Sequence, residues 1–175
     1  MEDKNRNILL SENEIKSQIA IIGKKITEDY KDKNLYVLSL LRGSFIFAAD
    51  LVREIDTKVQ IGFMTTSSYG HGEESTGVVK VLNDIPDNIE GLDVLIVDDI
   101  IDSGITMDFV IDHVKKLGAK TVKTCTLLDK PSRRKVGLKP DYCCFEIEDL
   151  FVVGYGLNYG DHYRNIPYIF NWESK

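Results

Sequence analysis

The sequence predicts an α/β protein: a parallel-rich, twisted sheet flanked by helices. Two observations carry this. Apolar runs with strand character, such as NLYVLSLLRGS, LDVLIVDD and AKTVKTCTLLDKP, alternate with stretches of helical period. The runs close on turn-forming residues, Gly43, Asp98 with Asp99, and Pro131. Strands that alternate with helices imply a mainly parallel sheet covered on both faces.

The elements follow in order. SENEIKSQIAIIGKKITEDY (residues 11–30) reads as an amphipathic helix, with Ile15, Ile19, Ile22 and Ile26 on one face and Ser11 with Glu14 as a capping box. NLYVLSLLRGS (34–44) is a buried strand turning at Gly43, and SFIFAADLVREI (44–55) is a helix. TKVQIGFMTTSSY (57–69) alternates as a strand does, and VVKVLND (78–84) pairs back across the loop SYGHGEESTG. LDVLIVDD (92–99) is the most apolar strand. ITMDFVIDHVKKLG (105–118) is a helix with Ile105, Phe109, Val110, Val114 and Leu117 inward and Gly118 as its stop. AKTVKTCTLLDKP (119–131) and DYCCFEI (141–147) are further strands, and the tail from Asp149 mixes aromatics with turn residues.

The chain of 175 residues suits one domain, 1–175. A net charge of −6 argues against nucleic acid or an anionic membrane as the main partner. No apolar run reaches the ~18–20 residues that span a bilayer. MEDKNRN leads to no apolar signal region. Cys125, Cys143 and Cys144 lack CxxC spacing and read as reduced thiols of a cytoplasmic protein.

The stretch VLIVDDIIDSGITMDFV (94–110) carries the chemistry. Asp98, Asp99 and Asp102 gather behind an apolar strand, where mutual repulsion calls for a reason. DSGIT joins strand to helix. The free N–H groups at the helix start, with the Ser103 and Thr106 hydroxyls, make a cradle for an anion. The aspartates accept from sugar hydroxyls or bind Mg²⁺. One loop thus suits a phosphate at one end and a diol with a metal at the other, as a ribose 5-phosphate needs. A plain alternative is an acidic strand end that caps the helix, with Asp102 or Ser103 as N-cap. GxxxxGK[ST] is absent, which argues against a P-loop NTPase. The acid spacing also fits neither a haloacid-dehalogenase-type phosphatase nor a response-regulator receiver.

VLIVDDIIDSGIT resembles the phosphoribosyl-pyrophosphate-binding motif of type I phosphoribosyltransferases. The remainder resembles their hypoxanthine-guanine branch over nearly the whole chain: SLLRGSFIFAADL its pyrophosphate loop, SSYGHGEESTG its flexible active-site loop, and LLDKP, FVVGYGLNY and YRNIPYI its purine pocket and tail. The resemblance implies the type I phosphoribosyltransferase fold, with a small hood built from the N- and C-terminal segments. It implies purine salvage: phosphoribosyl transfer to hypoxanthine, guanine or xanthine, with pyrophosphate leaving alongside Mg²⁺. A transition state of oxocarbenium character then explains the crowded carboxylates, whose field favours a cationic sugar. It also implies a homodimer or homotetramer, with Tyr168, Ile169, Phe170 and Trp172 serving an interface or the hood.

Residue roles follow from the resemblance. Asp98 and Asp99 hold ribose hydroxyls and the metal with its waters. Asp102, near purine N7, is general base or proton relay. Ser103, Gly104, Ile105 and Thr106 hold the 5′-phosphate. Lys130 donates to purine O6, Phe151 stacks on the base, and the Val152 carbonyl accepts from the ring edge. Leu41, Arg42 and Gly43, helped by Arg164, bind pyrophosphate, and the Leu41–Arg42 peptide is expected to be cis. Ser68 and Tyr69 open the closing loop, whose glycines Gly70, Gly72 and Gly77 favour motion. His71, His113 and His162 are read as solvated. Two positions depart from the family pattern. Asp98 stands where Glu is usual, which retracts its carboxylate. Asn158 stands where Asp is usual, and an amide there implies a weaker second metal site. A regulator that senses phosphoribosyl pyrophosphate without turnover is the alternative of a different class; Lys130 and Phe151, present here, argue against it.

Overall fold

In the computed structural model, which describes residues 7–68 and 79–172, β1 (Asn7–Leu10) leads into α1 (Glu12–Asp29). The capping box forms: the Glu14 N–H donates to Ser11 Oγ at 3.3 Å, and the Ser11 N–H donates to the Glu14 carboxylate at 2.8 Å. Ile15, Ile19, Ile22 and Ile26 are all buried, as their spacing predicts.

The main sheet has six strands. β2 (Leu35–Leu41) leads through α2 (Phe45–Arg53) to its parallel neighbour β3 (Val59–Ser68), and β4 (Val79–Asn83) returns antiparallel on the edge. β5 (Asp93–Ile101) then lies on the other side of β2. After α3 (Ile105–Lys116) come β6 (Thr121–Asp129) and β7 (Tyr142–Glu146), both parallel to their predecessors. The order is β4-β3-β2-β5-β6-β7. Chain progress reverses between β2 and β5, and in open α/β sheets a crevice forms beyond the strand ends at that reversal.

Period 2 distributes β5 between two cores. Leu95 and Val97 pack with α1 and α2, while Val94 and Ile96 pack with α3. The helix α3 corrects one expectation. Its buried residues are Met107, Val110 and Val114, spaced i, i+3 and i+7. Phe109 is 37% exposed and Leu117 40%, and Ile105 is half-buried. The stripe turns on Met107 because Phe109 lies on the outer flank, stacked against the His113 ring at 6.3 Å. Leu117 falls at the C-cap, past the last packed turn. His113 is not solvated: its Nε2 lies 2.8 Å from Asp84 Oδ1.

A second sheet joins the chain ends. β1 pairs antiparallel with β9 (Ile169–Asn171), which pairs antiparallel with β8 (Val152–Val153). Val153, Ile166 and Phe170 form its core, with Tyr163, Tyr168 and Trp172 packed around them. The three cysteines are free thiols. Burial pushes the Cys125 thiol well above its usual range, Cys143 up to about 11 and Cys144 up to about 12, so none is a reactive thiolate.

Candidate active site

Strand lengths open the crevice. β2 pairs with β5 only as far as Ser39–Val97, whereas β6 stays paired with β5 to Ile101–Asp129. Asp98 and Asp99 are therefore held by the sheet on one edge and free of β2 on the other. The strand thus runs on past both aspartates to Ile101 rather than ending at Asp99, because Ile100 and Ile101 pair with Leu128 and Asp129. A cavity of about 220 Å³ lies there. Among its lining residues are Leu41, Gly43, Asp98, Asp99, Asp102, Ser103, Gly104 and Thr106.

Asp98 and Asp99 bend back on the backbone. Asp98 Oδ1 accepts from the Asp99 N–H at 3.0 Å, and Asp99 Oδ1 from the Ile100 N–H at 3.0 Å. Burial pushes both carboxyls above the usual carboxylate range. For Asp98 the neighbouring Asp99 charge adds to this; for Asp99 the Asp98 side chain, the Ile100 N–H and the Arg164 guanidinium pull against it. Two adjacent buried carboxyls hold their protons more readily, and a cation bound beside them would favour their charged form.

At the start of α3 no side chain caps the helix. The N-cap is Gly104 at φ +82°, not Asp102 or Ser103, because the tight strand-to-helix turn needs left-handed backbone. A side chain there would also strike Val136 at 2.8 Å. Ser103 Oγ accepts only a long 3.4 Å bond from the Ile105 N–H. The first intrahelical bond in this turn is Asp108 N–H to Gly104 O at 2.9 Å. Apart from the Ser103 bond to Ile105, no side chain caps the opening amides, which leaves capacity for an anion beside the cavity-lining residues Ser103, Gly104 and Thr106.

The segment after β2 is packed between the acidic strand and the second sheet. The Leu41–Arg42 peptide is cis, as expected. A Cβ on Gly43 would lie 1.8 Å from Asp99 Oδ2, and one on Gly156 would lie 2.2 Å from Gly43 O. Arg164 donates through Nη1 to Gly156 O at 2.6 Å, which holds its guanidinium beside this stack.

Arg42, Ile105, Lys130, Phe151, Val152, Asn158 and Arg164 stand outside the cavity lining. Lys130 follows β6 with its backbone N–H on Ile101 O at 3.0 Å, and its Nζ lies 3.7 Å from Asp149 Oδ1. Phe151 is 52% exposed, with its ring in a T-shaped contact with Tyr159 at 6.0 Å. Tyr159 stacks on Trp172 at 4.2 Å. The Asn158 side-chain amide donates to Gly160 O. Ser68 closes β3 opposite Val79. Tyr69, with Gly70, His71, Gly72 and Gly77, lies outside the described residues.

Sequence reasoning missed the arginines. Arg134 donates to the Asp129 carboxylate and, through Nη1, to Asp102 O at 3.0 Å. Arg133 Nε donates to Asp102 Oδ1 at 3.1 Å and its Nη1 to Asp149 Oδ2 at 3.4 Å. The signal was there: paired arginines stand three and four residues after Lys130, at the carboxyl end of a parallel strand.

The family model for the phosphoribosyl transferase domain matches residues 5–160. Hypoxanthine-guanine phosphoribosyltransferase of Bacillus subtilis is 44% identical over 162 residues, 93% of this chain and 90% of that protein. The enzyme of the same name from Streptococcus pyogenes serotype M3 is 45% identical over 97% of this chain and 94% of its own length. Among solved structures, a hypoxanthine-guanine phosphoribosyltransferase from Bacillus anthracis superposes with TM-score 0.92 at 45% identity, covering 96% of this chain and 99% of that one. With sequence and fold agreeing along almost its full length, the chain belongs to the phosphoribosyltransferase family, in its hypoxanthine-guanine branch.

Proposed function

We propose that the protein is a purine-salvage enzyme that moves the 5-phosphoribosyl group of phosphoribosyl pyrophosphate to hypoxanthine or guanine, giving IMP or GMP and pyrophosphate. The observation that carries this is the cavity at the β2–β5 reversal. Its lining combines Asp98, Asp99 and Asp102, at and just after the end of β5, with the uncapped start of α3. That polarity suits a donor whose phosphate needs amides and whose sugar gains positive charge in the transition state.

In this reading Ser103, Gly104, Ile105 and Thr106 take the 5′-phosphate, and Asp98 and Asp99 take the ribose hydroxyls. Leu41, Arg42, Gly43 and Arg164 hold the pyrophosphate. Lys130 reads the 6-oxo group, Phe151 covers the ring, and Val152 meets its edge. As the C1′–O bond to pyrophosphate breaks and the bond to N9 forms, Asp102 accepts the proton that the purine imidazole loses at N7. Ser68 and Tyr69 belong to the segment that would exclude water.

The residues fit Mg²⁺. Asp98 and Asp99 offer hard oxygens whose charge is poorly compensated, and Mg²⁺ characteristically uses one or two carboxylates plus substrate phosphates. Bound there, the ion would neutralise the departing pyrophosphate. Asn158 would contribute a weaker, neutral oxygen to a second ion. Asn158→Asp is expected to lower the Mg²⁺ concentration for half-maximal turnover about two- to fivefold, as a charged oxygen replaces a neutral one. A titration of rate against Mg²⁺ checks it, and an unchanged midpoint removes Asn158 from the metal set.

Residues 1–175 are taken as one domain with the second sheet as its hood. A small oligomer is also proposed; Ile61 and Phe63, exposed side by side on one face of β3, are apolar surface that such an interface would cover. A cytoplasmic site of action is proposed with it; no helix among the described residues is long and apolar enough to cross a membrane. The test is turnover of hypoxanthine, guanine, xanthine, adenine and uracil with phosphoribosyl pyrophosphate and Mg²⁺. Nucleotide formation from hypoxanthine or guanine is expected. Turnover of adenine or uracil alone would refute the assignment, and donor binding without turnover would favour a sensor.

A further inference from the structure

We propose that Arg133 is a positioning residue that ties Asp102 to the arm carrying the purine platform. The inference rests on the roles given above to Asp102, Lys130 and Phe151. Arg133 ends a 3₁₀ turn, Pro131–Arg133, placed directly after β6. Proline at its first position pre-sets that turn. Its side chain reaches Asp102 with one nitrogen and Asp149 with another, at 3.1 and 3.4 Å. Asp149 in turn lies 3.7 Å from Lys130 Nζ and stands two residues before Phe151. One guanidinium therefore joins the group that takes the purine proton to the lysine that reads O6 and to the segment, just before β8, that bears the stacking ring.

The backbone beneath it is fixed. Lys130 N–H donates to Ile101 O at 3.0 Å and Lys135 N–H to Ser103 O at 2.9 Å, while Arg134 Nη1 donates to Asp102 O between them at 3.0 Å. Residues 130–135 and 101–103 run side by side on these three rungs. They set where Arg133 begins relative to Asp102, so the ion pair needs little further ordering. Arg134 does not share the task, because it is committed to Asp129 and to the Asp102 carbonyl. Half-exposed ion pairs contribute little to folding. The expected consequence is therefore on geometry at the reacting atoms, where small misplacements are costly.

Steady-state kinetics with hypoxanthine and phosphoribosyl pyrophosphate test this. Arg133→Met is expected to lower kcat/KM for hypoxanthine about tenfold while KM for the donor stays within about twofold, since the lost alignment concerns the base alone. Arg133→Lys should recover part of the loss. Asp149→Asn should resemble Arg133→Met, and the double variant should be little worse than either, as for members of one unit. Lys16→Met, which breaks an ion pair with Glu12 on the outer face of α1, is the control for losing a surface pair. Urea unfolding midpoints separate a loss of folding from a loss of alignment. An Arg133→Met enzyme within about twofold of the parent, or additive losses in the double variant, would overturn the inference. Asp102→Asn distinguishes the levels: if it is fully active, the role of Asp102 falls and this inference with it. If it is crippled while Arg133→Met is not, only the inference falls.

Discussion

Gly43→Ala is expected to reduce transfer at least ~100-fold, because a displacement of about 1 Å at a pyrophosphate loop removes alignment of the leaving group. The reason is space on both sides. A methyl at residue 43 would sit 1.8 Å from Asp99 Oδ2, far inside contact distance. Asp99 cannot simply swing away, since its Oδ1 holds the Ile100 N–H at 3.0 Å and its backbone belongs to β5. Retreat of the loop toward the second sheet is blocked by Gly156, itself so close that its own Cβ would meet Gly43 O at 2.2 Å. The substitution must therefore displace either the carboxylate or the loop, at a cost to stability of about 1–3 kcal/mol for overpacking. Gly137→Ala is the control, since a Cβ there meets nothing within 4 Å. Steady-state rates and urea midpoints for the two variants check this. Full activity in Gly43→Ala would mean that the loop and Asp99 have slack which their packing does not show.

Asp102→Asn should lower kcat about 100- to 10,000-fold, the usual range when a positioned general base is lost, with donor binding little changed. The amide is nearly isosteric and retains an oxygen for Arg133 Nε, so the local packing should survive. What it lacks is the capacity to take a proton. Asp102 is suited to the task by place: it lies in the cavity lining, beyond the end of β5 and before the phosphate turn. It is also more open to solvent than a core carboxylate, with 43% of its side chain exposed, which eases proton release afterwards. Single-turnover rates with preformed donor complex separate chemistry from binding. A kcat within about threefold of the parent would assign the proton to another acceptor, such as water.

Much of this was legible in the residues, and the reasons differ by element. The capped α1 and the buried β5 announce themselves because one period governs each along its length. The acidic turn was legible because three carboxylates behind an apolar strand make no sense as packing. The short strands β1 and β9 were not legible as strands. They hold four and three residues, too few for a period, and they pair with each other across nearly the whole chain. The inward face of α3 was misjudged at Phe109 and Leu117, because both flanks of a helix that lies on a sheet can carry apolar groups and only the neighbouring strands decide. The Gly156–Gly43–Asp99 stack and the Arg133 bridge are contacts between segments 16 to over 100 residues apart, and no local pattern encodes them.

The central claim is that residues 98–106 grip a sugar phosphate, and a crystal structure of the protein with IMP tests it most directly. The phosphate is expected on the backbone amides of residues 103–106 and the Thr106 hydroxyl, with the ribose hydroxyls on Asp98 and Asp99. A nucleotide bound in full elsewhere, with that turn untouched, would contradict the account.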